Sequence, residues 1–225
     1  MSKQIPWLRV FVEGVVIVGS ILLAFGLQAW WEGKEEAKNE RQQIAALADD
    51  FSQNIDLLTV RQARIDRSAR LLTHLRDMLR ASPDGSRITV PDSLLNELRY
   101  VGTIDPVRGT LDAMIGSGRL DQLSDSALRS ALTDWQRLVS DVRTDQVVGL
   151  EYLARELIPF LATQGDLSHT LDLTATPSET TITVNPGWIT MLAGKLLTDQ
   201  WVSNDIAPLV ERTQQVLDLL LAQGS

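Results

Sequence analysis

A mainly α-helical chain is what the sequence predicts: an N-terminal transmembrane helix, then a bundle of long helices with a small β-hairpin. Three observations carry this. Residues 7–31 read WLRVFVEGVVIVGSILLAFGLQAWW, an oily run framed by tryptophans. Residues 34–80 contain no glycine or proline, and their apolar residues recur at alternating steps of three and four. Residues 168–185 turn threonine-rich and alternating about a Pro–Ser pair, the pattern of a hairpin. The chain therefore divides into an anchor, 1–33, and a helical domain, 34–225.

The anchor comes first. Residues 14–31 hold no charge and one polar amide, Gln28, and apolar character resumes beyond Glu13 as far as Trp7. A span needs about 20 largely apolar residues. Trp7 and Trp30 stand roughly 35 Å apart at helical rise, close to the separation of the two headgroup regions that tryptophan prefers, so Trp7, Trp30 and Trp31 are expected at the membrane interfaces. A buried core helix rarely runs so long without a polar face. A cleavable signal is the other rival, since Ala24, Gly26 and Ala29 offer small residues for a peptidase, but Glu13 interrupts the run and its apolar part exceeds a signal core.

Three polar residues of this run are candidates for an intramembrane contact. Glu13 sits about two turns inside Trp7, where it either reaches the headgroups or pairs with a partner's cation. Arg9, four residues earlier, shares its helical face. Gln28 is the third candidate for an intramembrane partner contact. Gly14, Gly19 and Gly26 supply small surfaces for close helix packing, although they form no GxxxG pair.

The domain follows. Ile44, Ala48, Phe51, Ile55, Leu58, Gln62, Ile65, Ala69, Leu72, Arg76 and Leu79 fit one heptad seam. Leu47, Leu57, Leu71, Leu75 and Met78 widen it, which favours packing within the chain over a self-paired coiled coil and leaves a homo-oligomer open. Residues 81–91 break the helix, and Pro91 opens a short one through Tyr100. Thr110 is expected to cap a brief helix ending at Gly116 or Gly118, and Ser124 to cap a long one that Pro159 kinks or ends. RITVP at 87–91 and TITVNP at 181–186 each precede a helix, so the two are expected side by side as a small sheet. A last helical stretch, 187–223, is expected to bend near 203–208.

Composition excludes several functions. The chain carries −8 overall; setting aside Lys3, Arg9 and Glu13 leaves 19 basic and 28 acidic residues, or −9, a sign that repels phosphate backbones, and no nucleic acid is expected as a partner. Cysteine is absent, so disulfides and thiolate chemistry are excluded. His74 and His169 stand apart from other ligand-type residues, Gly116–Ser117–Gly118 lacks the lysine of a phosphate loop, and Ser117 lacks the GxSxG turn of a nucleophile. No catalytic residue, metal or cofactor is expected.

The pattern Glu13, Ile17-Val18-Gly19, Leu22-Leu23-Ala24 and Trp30-Trp31-Glu32, followed by a charged helix with Asn54 near its middle, resembles a bacterial family of single-anchor membrane proteins of unknown function. The resemblance extends to residues 109–135, and Gln28 stands where that family usually has asparagine. It implies topology and no activity. The expected location is thus the bacterial inner membrane, with the short N-terminus inside and the domain in the periplasm; the basic flanks are nearly balanced, Lys3 and Arg9 against Lys34, Lys38 and Arg41. The expected role is an accessory or scaffold subunit bracing a larger membrane assembly, of which an energy-converting complex is one candidate, with membrane lipid and other membrane-protein subunits as partners. A ligand-binding or sensing module is the alternative; a sensor needs an output domain, and few residues precede the span.

Overall fold

The structure, a computed structural model, describes residues 7–165 and 178–223; side chains at 7–10, 12, 14–17 and 37 lie outside the description. Helix α1 runs without interruption from Trp7 to Ala81, so the expected boundary at Gly33 is not a break in the chain's conformation. It is followed by strand β1 (Arg87–Pro91), short helices α2 (Asp92–Glu97) and α3 (Gly109–Gly116), and the long α4 (Ser126–Tyr152). A π-helical turn (Leu153–Leu157) joins α4 to α5 (Ile158–Thr163), and strand β2 (Glu179–Thr183) leads into α6 (Pro186–Gln223).

Cross-links fix the directions. Glu40 and Gln223 both reach the start of α4, at Ser124 and Asp125. At the other end the Tyr152 hydroxyl donates to the Met191 carbonyl at 2.8 Å. Helices α1 and α4 therefore run the same way and α6 returns between them, packing extensively on both. Chain-internal packing of α1 is thereby shown.

The buried seam of α1 differs from the expected one at every second position. Ile44, Phe51, Leu58, Ile65, Leu72 and Leu79 are buried as expected, but the residues between them in the core are Leu47, Asn54, Ser68 and Leu75. Ala48, Ile55, Gln62, Ala69 and Arg76 are only half-buried. An apolar count passes over Asn54 and Ser68 because their polarity hides their place in a seven-residue repeat.

Two caps are also reassigned. Asp125, not Ser124, accepts from Ala127 N at 2.7 Å and Leu128 N at 3.2 Å at the start of α4, while Ser124 donates to Glu40. The first turn of α3 is served by Asp50 of α1, which accepts from Thr110 N at 3.2 Å, so Thr110 is not its own cap. At Pro159, which has no N–H to donate, the helix neither ends nor begins anew: the π turn takes up the mismatch and the chain stays helical to Thr163. Pro208 likewise lies inside α6.

Strands β1 and β2 pair antiparallel, with Ile88 opposite Ile182 and Thr89 opposite Thr181, so the two ITV segments do lie side by side. Among the described residues this two-stranded sheet is the β structure. The first half of the expected hairpin, with His169, lies outside the described residues. Asp92 ties the sheet to α2: its N–H donates to the Ser178 carbonyl at 2.9 Å, and its carboxylate accepts from Ser178 and from Thr180, the latter at 2.6 Å.

The interior consists of two apolar clusters. One, built on Phe51, Leu58, Trp135, Val139, Ile206 and Leu209, fills the bundle near the start of α4. The other gathers Leu72, Leu75, Leu98, Ile182, Trp188 and Leu192 beneath the sheet. Trp135 is fully buried, tilts against Phe51 at 4.9 Å between ring centres, and donates its indole N–H to Thr213 at 2.8 Å. The return from sheet to α4 runs down α1, where Gly102 passes so close to Ile65 that a Cβ would collide with it.

Candidate functional site

Two regions stand out against this bundle: the bare start of α1, and a layer of charge inside the core.

Every residue from 18 to 36 is exposed, including Leu23 at 75 % and Trp31 at 67 %. Val18, Ile21, Leu22, Phe25 and Leu27 are exposed with them, so apolar side chains surround the helix on all sides and none is covered by the described residues. Around Gly19 and Gly26 a Cβ would meet no neighbour within 4 Å, which leaves both open to contact from another molecule. The side chains of Trp7 and Arg9, and the surroundings of Gly14, lie outside the description. Glu13 is exposed on the helix surface. Gln28 donates to Glu32 one turn on, at 2.9 Å, a bond within α1. Trp30 and Trp31 stack at 5.9 Å with their planes 5° apart, and the Lys34 ammonium lies 4.2 Å from the Trp30 ring centre. Among the described residues no helix is long and apolar enough to cross a membrane; the apolar stretch whose side chains are described without a gap, 18–31, falls short of the roughly 20 residues a span requires.

The second region was not visible in the sequence. Lys195 is 1 % exposed and pairs with Asp199 one turn later on α6. Beside them Arg64 of α1 makes a two-pronged bridge to Glu97 of α2, at 2.8 and 3.0 Å, and stacks its guanidinium over Tyr100 at 4.0 Å. With buried Ser68 and Thr198, these groups form a polar layer between the two apolar clusters. Burial pushes the Lys195 ammonium down and the Asp199 carboxyl up, each against the pull of the other's charge. A Lys and an Asp four apart on a helix read as a solvated surface pair; only tertiary packing reveals their burial.

A third contact explains a residue singled out above. Asn54, fully buried, donates to the Val107 carbonyl at 2.9 Å and accepts from Val107 N–H at 2.7 Å, serving the returning chain as one strand serves another. Among the described residues no group of three or more His, Asp or Glu side chains is placed to hold a metal ion.

Fold and site together define a helical bundle carried on one end of a long helix whose other end is apolar and uncovered. Comparison with protein families, with curated proteins and with solved structures finds no match for the chain.

Proposed function

We propose that the protein is a non-catalytic, single-pass membrane protein, an accessory subunit whose N-terminal helix lies among lipid and neighbouring helices while its bundle braces a larger assembly on the extracytoplasmic side. The observation that carries this is the apolar end of α1, exposed on every side yet continuous with a bundle whose own core is filled. Exposed apolar surface on this scale marks a membrane or protein contact. The uncharged run 14–31 in the sequence and the stacked tryptophans at its end support lipid as the surroundings.

Extraction in mild detergent with an affinity tag after Ser225, followed by mass spectrometry, tests the role. Membrane-protein subunits recovered in fixed proportion support it. A lone protein carrying a tightly held metabolite overturns it in favour of a ligand-binding module. Orientation is testable because the chain has no cysteine: a single Ser225→Cys is expected to react with a membrane-impermeant maleimide once the outer barrier is opened, and protection until lysis reverses the topology.

A further inference from the structure

Just past the tryptophan pair the charges of α1 sort by sign. Taking Trp30 as zero and about 100° per residue, Arg41, Lys34 and Lys38 fall within about 80° of it, on one stripe. Glu32, Glu35, Glu36 and Glu40 occupy the opposite side, from about 140° to 280°. The bundle accounts for Glu36 and Glu40. Glu40 is turned towards the start of α4, where it accepts from both Ser124 N and Ser124 Oγ, at 3.0 and 2.8 Å, and Glu36 lines a cleft with Arg119 on that side. Glu32 is held by Gln28. Leu47, buried against the bundle, lies on the side of Glu36 and Glu40, and buried Ile44 and Phe51 lie between that side and Trp30.

Lys34 and Lys38 face away from the bundle, while Arg41 stands at its edge, where it also lines a cleft with Ile44, Asp125 and Gln223. Lys34, Lys38 and Arg41 are exposed, and Trp30, Gly33 and these three line one open groove of about 630 Å³. Among the described residues no carboxylate lies within ion-pairing distance of Lys34, Lys38 or Arg41; Lys34 instead caps the Trp30 ring. Such a triad spans two turns of helix, about 10 Å, directly beyond the aromatic pair. If the tryptophans mark the interface, Lys34, about 6 Å beyond Trp30, stands in the headgroup layer, and the long side chains of Lys38 and Arg41 can reach back towards it. An indole whose face already holds one ammonium keeps that cation over the groove, where a phosphodiester would meet it together with the next two.

We propose that Trp30, Lys34, Lys38 and Arg41 form a binding site for the headgroup of an anionic phospholipid. This rests on the membrane reading of α1 given above. The site turns the face of α1 that carries Trp30, Lys34 and Lys38 to lipid, with Glu36 and Glu40 on the bundle side. Each cation near an anionic surface multiplies binding about fivefold.

The test reconstitutes the full chain into phosphatidylcholine vesicles containing brominated phosphatidylglycerol or, at the same mole fraction, brominated phosphatidylcholine, and reads tryptophan quenching. The unmodified protein is expected to prefer the anionic lipid by about fivefold or more. Lys34→Gln/Lys38→Gln/Arg41→Gln is expected to abolish the preference. Arg67→Gln/Arg70→Gln/Arg80→Gln, an equal charge change far along α1, is expected to keep it. Equal quenching by the two lipids in the unmodified protein, or equal loss in both variants, overturns the site while leaving the anchor standing. Loss of the preference to inorganic phosphate, but not to chloride of matched ionic strength, assigns the groove to a free anion and also overturns it. Release of the unmodified protein from vesicles by alkaline carbonate removes the anchor itself, and the site with it.

Discussion

Lys195 and Asp199 show what a buried pair costs and gives. Each is unfavourable alone at this depth, and their attraction offsets burial only while both are present. Lys195→Met is therefore expected to lower unfolding free energy by about 3–5 kcal/mol, because it strands the Asp199 carboxylate. The double change Lys195→Met/Asp199→Leu is expected to recover most or all of that loss. Denaturant titration of both checks this, and a double variant as weak as the single one would mean that the neighbouring Arg64–Glu97 bridge depends on the pair. Asn54→Ala is a second case: it leaves both backbone groups of Val107 without partners, at a cost of about 1–3 kcal/mol. Its effect should be greater than that of a surface asparagine such as Asn39, measured the same way.

At the scale of elements, α4 and α6 hold a carboxylate contact with a pH signature. Asp145 of α4 lies half-buried; burial first, then the charge of Asp205 on α6 and a hydrogen bond with it, then Asp141, hold its carboxyl above the usual range. A raised value in the folded state means the folded protein binds this proton more tightly than the unfolded chain does. The penalty is complete at neutral pH, shrinks as pH falls from the folded value to the unfolded one, and is constant below. Asp145→Asn is accordingly expected to raise the melting temperature at neutral pH, with the gain fading under mildly acidic conditions, as thermal unfolding followed by circular dichroism will show.

The same scale shows what the sequence makes legible. Long helices were readable because the apolar residues of 44–79 keep their seven-residue period, and the sheet because two ITV segments share one texture. The caps were misplaced where a candidate's neighbour, or a side chain from a distant helix, did the work: Asp125 outcompetes Ser124 by one residue, and Asp50 reaches α3 from 60 positions away. The roles expected of the tryptophans and glycines of the apolar run depend on surroundings outside the chain. The charge layer could not be read from the sequence, because helical spacing of Lys195 and Asp199 is the same inside a core as on a surface.

For the whole molecule, the governing feature is that α1 crosses from its bare apolar end into the bundle without a turn, a glycine break or a proline. Gly33 lies in the middle of regular helix. The azimuth of the bundle is thus geared to the azimuth of the apolar end, like a key's bit to its bow. One residue inserted between Gly33 and Asn39 would swing the bundle by about 100° and lift it about 1.5 Å; seven would restore its heading to within roughly 20°. If neighbouring subunits grip both ends at once, co-purification should fail for the one-residue insertion and return for the seven-residue one. Evolution along this stretch would then tolerate changes in letters far more readily than changes in length.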